Sequence, residues 1–330
     1  MLLSAQEQLK EQTQVRGTGV MLRCPRCFAS IGFLPGHDAA SIECVACESP
    51  LAYERGIWKA LLPERAARYS QFIQDYESIR AAEGRGSDSD EYYLALPYRD
   101  LSGRLSGQWT LRGRTFRYLE RKIMPRFTPL AHYRLRILDL GAGNGWMSYR
   151  LAAEGHTPVA VDLLVNERDG LGAAKHYEPR LPSLFPRFQA ELDNLPFADS
   201  QFDVVIFNAS FHYSENYEKT LAEAIRCVRG GGTVVIADTP WYSDEQSGER
   251  MLEERRKLFI QRYGFPSDEL NSQEYLTDQR LGALAQRFRI QWHTHFPFYG
   301  VRWHLRPLVA RLRGARKPSR FRIYSAKVGK

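Results

Sequence analysis

The chain has 330 residues, 43% hydrophobic and 25% charged, enough for one large domain or two and for a sizeable core. No apolar run approaches the ~18 residues of a membrane span, and the amino terminus lacks the basic and apolar blocks of a secretory signal, so a cytoplasmic protein is expected. The net charge of +8 is local: Val301 to Lys330 hold ten Lys or Arg and no acid, which leaves the remainder slightly acidic and confines arguments about anionic partners to that tail.

Residues 1–19 are polar and weakly helical, and poor order is expected there. Residues 20–63 contain Cys24-x-x-Cys27 and Cys44-x-x-Cys47, separated by sixteen residues, the spacing of a zinc site. Each pair can present two thiolates to one tetrahedral ion; disulfides are the weaker alternative in a reducing compartment. Strands are expected into Cys24, over Ile31 to Leu34 and into Cys44, with a Gly-His-Asp turn between the last two. A segment this short buries too little surface to fold alone, so a structural Zn2+ would supply much of its stability. Residues 64–91 read as a charged helix followed by a Gly/Ser-rich acidic linker. Tyr92 to Ile123 mixes aromatic and basic residues in a helical register.

From Leu135 the pattern alternates between apolar strands and helices, as in a doubly wound parallel α/β sheet. The first strand runs into Asp139-Leu-Gly141-Ala142-Gly143-Asn-Gly145. Glycines at alternate positions let the backbone take positive φ and let a ligand approach the main chain. The dinucleotide pattern G-x-G-x-x-G fails at Trp146. The second strand, Thr157 to Val161, ends in Asp162, placed to accept hydrogen bonds from both hydroxyls of a ribose. A near-continuous apolar run, Phe202 to Phe207, reads as a central strand buried on both faces. It brings Asn208 to Tyr213 to the carboxyl edge, where open α/β sheets bind ligands. Cys227 falls in the apolar pattern of the next helix and reads as a core residue.

Beyond Asp238, Trp241 to Gly264 reads as a charged helical insertion and Asn271 to Phe288 as the last large helix. Arg289 to Tyr299 and Arg320 to Val328 read as closing antiparallel strands. Between them, Leu305, Leu308, Val309 and Leu312 fall at i, i+3, i+4 and i+7, a short basic amphipathic helix.

The acidic residue followed by three alternating glycines resembles motif I of the class I S-adenosylmethionine-dependent methyltransferases. Ala190 to Tyr213, with its Leu-Pro-Phe and Phe-Asp, is similar to the corresponding stretch of the ubiquinone and menaquinone biosynthetic methyltransferases. The resemblance implies a seven-stranded Rossmann-like sheet over residues 92–330 and S-adenosylmethionine as cofactor. It implies cofactor contacts by Asp139, Gly141, Ala142, Gly143, Gly145, Asp162, Leu163, Glu191, Leu192 and Asn208; Glu191 stands where that family has Asp. The cysteine segment, closing with Ala52 to Pro63, resembles the zinc ribbons of tRNA-methyltransferase activators and of large-subunit rRNA guanine methyltransferases.

Methyl transfer asks mainly for alignment, and a base only where the acceptor is protonated. His212, adjacent to Tyr213, is the candidate base; His176 and Tyr177 come second. The acceptor is expected to be a small metabolite or lipid-like molecule. An RNA base, gripped by the ribbon and the basic tail, is the alternative, and a non-catalytic scaffold with a partner-binding ribbon is a third reading.

Overall fold

The computed structural model describes residues 19–34, 40–127 and 134–329. Residues 1–18 and the Gly-His-Asp turn therefore lie outside the described residues.

The cysteine segment supplies β1 (Met21–Arg23), β2 (Ser30–Phe33), β3 (Ser41–Glu43), β4 (Pro50–Glu54) and β5 (Ile57–Lys59). A hairpin joins β4 to β5 through Arg55 and Gly56, both at positive φ, as a tight two-residue turn requires. Then come α1 (Pro63–Ala82), α2 (Asp90–Ala95) and α3 (Ser106–Tyr118). Pro63 starts α1, where a missing N–H costs nothing.

The large sheet is built from β6 (Arg136–Leu140), α4 (Trp146–Ala153), β7 (Thr157–Asp162), β8 (Arg187–Gln189), β9 (Phe202–Asn208), α5 (Tyr217–Cys227) and β10 (Val228–Ala237). It closes with α6 (Glu245–Tyr263), α7 (Asp278–Phe288), β11 (Trp292–His295), α8 (Val301–Leu312) and β12 (Ile323–Lys327). The spatial order is β11-β12-β10-β9-β6-β7-β8. Counted from β6, that is 3-2-1-4-5-7-6, with β12 antiparallel to both neighbours. It is the seven-stranded Rossmann-like arrangement expected. β6 and β9, buried along almost their whole length, form its centre, and the reversal of strand order between them opens the crevice at their carboxyl ends.

Three features differ from expectation. The ribbon is no separate lobe: β5 pairs in parallel with β8 through Trp58↔Phe188 and Lys59↔Gln189, so β5, β4 and β3 extend the sheet to ten strands among the described residues. Leu22, Leu51 and Trp58 share one core with Leu138, Phe188 and Phe197. Arg23 donates its amide to Pro196 O at 3.1 Å and pairs with Glu223 at 3.0 Å. The expected linker after α1 is also packed down. Arg85 is buried, and the Tyr93 hydroxyl donates to Ser87 O and Arg168 O. Neighbouring aromatic and arginine side chains cover backbone that its polar composition leaves bare. The Tyr92 to Ile123 stretch breaks into α2 and α3, with the polar loop 99–105 between them held by Asp100, which accepts from the amides of Ser102 and Leu105.

Candidate active site

The loop after β6 is shaped by three glycines at positive φ. A Cβ on Gly141 would sit 2.2 Å from Ser210 Cβ, and one on Gly145 3.0 Å from the Phe185 ring, so both permit packing. Gly143 differs: nothing lies closer than Asp169 O at 3.7 Å, and the open side is a cavity. Gly141 and Ala142 spend their amides on Val161 O, while Asn144 accepts from Trp146 N at 3.2 Å and holds the first turn of α4.

The cavity at this loop is lined by Gly141, Ala142, Gly143, Asn144, Asp162, Leu163, Glu191, Leu192 and Asn208. Of the cofactor residues named from the sequence, only Asp139 and Gly145 are not in its lining. Asp139 is buried and accepts from the Ser148 hydroxyl at 2.7 Å; burial pushes its carboxyl up to about 7. Asp162 stands at the mouth of β7. One oxygen accepts from Gly143 N at 2.7 Å and the other from Leu164 N at 2.8 Å. Burial raises this carboxyl and the two amides oppose the rise. Glu191 is buried against Arg65 of α1 in an ion pair, and Arg65 also donates to the Tyr69 hydroxyl at 2.9 Å.

The opposite wall comes from α1 and α3. Tyr69, Phe72, Tyr76 and Arg80 lie along one stripe of α1, and Arg80 pairs with Asp169. The sequence reading took this helix as charged and connecting; the signal for its role was the aromatic spacing 69, 72, 76 on one helical face. Arg112, on α3, was likewise not singled out.

A second cavity of about 290 Å3 adjoins the first and shares Phe72, Tyr76, Arg80, Arg112, Ala209 and Tyr213 with it. His212 lines this second cavity only, with Asp238 and Glu274. Its Nδ1 is buried without a partner. Burial lowers its pKa to about 4, so the imidazole is neutral near pH 7. His176 accompanies neither cavity: it contacts Asp90 at 2.5 Å and stacks on Tyr93 at 4.3 Å. Tyr177 is fully buried against Tyr149.

The four cysteines gather at the far edge of the sheet with all Sγ atoms within 4.8 Å of one another. Cys24 and Cys47 approach to 3.6 Å and Cys27 and Cys44 to 3.5 Å. All are free thiols. A tetrahedral ion with Zn–S bonds of about 2.3 Å has S···S edges of about 3.8 Å, so the donor set fits zinc in number, chemistry and spacing.

Residues 138–236 match the family model described as a methyltransferase domain. Over 107 residues the chain is 34% identical to a malonyl-[acyl-carrier protein] O-methyltransferase of Erwinia pyrifoliae, covering 31% of this chain and 37% of that one. Over 103 residues it is 33% identical to a demethylmenaquinone methyltransferase of Renibacterium salmoninarum, covering 31% and 40%. The chain thus matches well under half the length of these curated relatives. A solved structure of a putative sarcosine dimethylglycine methyltransferase from Galdieria sulphuraria aligns with TM-score 0.47 at 15% identity, covering 66% of this chain and 86% of that chain. Among the described residues, no helix is long and apolar enough to cross a membrane.

Proposed function

We propose that the protein is an S-adenosylmethionine-dependent methyltransferase acting on a small acceptor in the cytoplasm. The observation that carries this reading is the pair of adjoining cavities: one faced by the Gly143 backbone, Asp162 and Glu191, the other by His212, sharing a wall. The first suits the cofactor chemically. Asp162 offers a carboxylate to a ribose diol, Leu163 and Leu192 offer apolar flanks to a base, and the turn at Gly143 leaves its open side to the cavity.

When bound, S-adenosylmethionine supplies an activated methyl group on sulfur. This chain's residues then have to align and shield it. Orientation alone can be worth about 7 to 11 kcal/mol, and the aromatic side chains of Phe72, Tyr76 and Tyr213 line both cavities where they adjoin. Neutral His212 can accept a proton from an acceptor hydroxyl or ammonium, although its low pKa makes it a weak base.

The size and aromatic lining of the second cavity favour a small molecule over an RNA base within a polynucleotide. The intact donor set in the first speaks against a non-catalytic scaffold. We also assign a structural Zn2+ to Cys24, Cys27, Cys44 and Cys47; hydrogen bonds from Ser49 lower the Cys47 thiol to about 6. Calorimetry with S-adenosylhomocysteine tests the main reading: binding to the parent protein is expected, and its absence would refute it.

A further inference from the structure

The second cavity holds several polar groups that the protein itself leaves unsatisfied. Arg112 enters it from α3 with its guanidinium stacked on Trp109 at 5.0 Å. No hydrogen bond or ion pair reaches that guanidinium among the described residues. Arg80 has Asp169, and Arg255 grips Glu274 with two bonds at 2.5 and 2.7 Å; Arg85 pairs with Glu83 through Nε and leaves its Nη1 buried without a partner at the same cavity. Burial and the nearby charges of Arg85 and Arg80 depress the Arg112 pKa, and Asp238, close enough to act on it but not hydrogen-bonded to it, opposes part of that fall. In the lining of the same cavity, Asp238 Oδ2 and His212 Nδ1 are buried without partners; the other Asp238 oxygen accepts from Thr115 of α3 at 2.5 Å.

Buried polar groups left unpaired cost stability unless a ligand completes them. A guanidinium with free donors matches a carboxylate, and a carboxylate oxygen with a neutral imidazole nitrogen matches a hydroxyl or amine. Apolar side chains, Phe72, Leu111, Phe259 and Phe321, fill the space between. We propose that the second cavity binds an acceptor that carries a carboxylate, held by Arg112, and a hydroxyl or amine, held by Asp238 and His212, on an apolar body. This rests on the methyltransferase reading. Because Arg112 also borders the first cavity, the carboxylate it holds has two sources, the acceptor or the amino-acid end of the cofactor itself.

The test uses the full-length protein saturated with S-adenosylhomocysteine, with 4-hydroxyphenylacetate and its neutral amide as probes in calorimetry or saturation-transfer NMR. The acid is expected to bind about tenfold or more tightly than the amide, as loss of a charge-assisted pair implies. Arg112→Gln is expected to erase that preference, with any loss of S-adenosylhomocysteine affinity matched by an equal loss for 5′-methylthioadenosine, and Arg112→Lys to restore part of it. Equal binding of acid and amide, or binding of neither, would overturn the inference while leaving the cofactor reading intact. If Arg112→Gln weakens S-adenosylhomocysteine but not 5′-methylthioadenosine, which lacks the amino-acid end, the anion is the cofactor's own and the acceptor assignment fails. Failure of S-adenosylhomocysteine to bind the parent would instead remove the premise.

A separate observation concerns α8, which buries none of its residues. Val301, Leu305, Leu308, Val309 and Leu312 share one face and are between 41% and 78% exposed, with Phe296 and Phe298 about two-thirds exposed just before it. Arg302, Arg311 and Arg313 flank the face without an ion pair among the described residues. A second copy docked face to face would set arginine against arginine, and the leucine and valine side chains of the face offer no ring on which a base could stack. We infer that this face lies on an anionic lipid surface, its apolar side chains in the acyl boundary and its arginines at the headgroups. Flotation with phosphatidylglycerol-containing vesicles is expected, weaker in high salt and absent with pure phosphatidylcholine. Leu308→Glu/Leu312→Glu is expected to abolish it while binding S-adenosylhomocysteine as the parent does. No flotation with anionic vesicles, flotation unchanged in that variant, or a dimer that the same substitutions dissociate would overturn it.

Discussion

Asp162→Ala separates the two tasks of that carboxylate. Its oxygens fasten the glycine loop to the strand beside it, through Gly143 N at 2.7 Å and Leu164 N at 2.8 Å, and it also faces the cavity. Removing the acceptor of a buried amide costs about 1–3 kcal/mol. Water from the cavity can replace the lost partner at Gly143, so the loss of stability should fall near the low end, a few degrees in Tm for a domain of this size. Binding loses more, since charge-assisted bonds to a ribose are worth about 1.5–3 kcal/mol, or roughly 10- to 150-fold in Kd. Calorimetry with S-adenosylhomocysteine near neutral pH reads this directly, with thermal unfolding as the control for folding. Asp162→Asn, which keeps one amide anchored but lacks the charge, should fall between. If Asp162→Ala binds within about twofold of the parent, the carboxylate holds no ribose and the assignment of the cavity is refuted.

Gly143→Val should nearly abolish S-adenosylhomocysteine binding in the same assay, because φ of +56° suits glycine and the new side chain would enter the cavity. Freshly purified reduced protein should contain one zinc per chain by elemental analysis. Cys44→Ser should lose it and also weaken S-adenosylhomocysteine, since β5 and α1 carry the ribbon's order into the cavity wall; intact binding in a metal-free variant would break that link. Asp139 is protonated in the folded state up to about pH 7 but only to about pH 4 when unfolded. The folded state therefore holds the extra proton in that window, and stability should fall as pH rises through it, by an amount on the order of 4 kcal/mol. Asp139→Asn should flatten this dependence in denaturant titrations and be the more stable form at pH above about 7. Imidazole NMR should place the His212 midpoint near 4; a midpoint at the ordinary ~6.5 would show a solvated ring.

The sequence by itself determined those parts whose signal is local. Paired cysteines at ligand spacing, a strand ending in alternate glycines, the apolar run of β9 and the stripe of α8 each follow from neighbouring side chains that must share a face or an ion. Asp162, Gly143 and Asn208 could be placed at the carboxyl edge because strand direction and alternation fix where a strand ends relative to its sheet. What only the tertiary structure decided is which distant groups meet. Three residues, Ile57 to Lys59, say nothing of a parallel partner at Phe188, so the ribbon read as a module when it is the sheet's edge. Arg65 finds Glu191, and Arg80 finds Asp169, across 126 and 89 residues, while Arg112 stacks on Trp109 and has no hydrogen-bonded partner among the described residues. These arginines are alike in composition and in helical setting; their difference arises only from the packing of α1 and α3 over the crevice, because the range of a charge pair is set by distance in space and not along the chain.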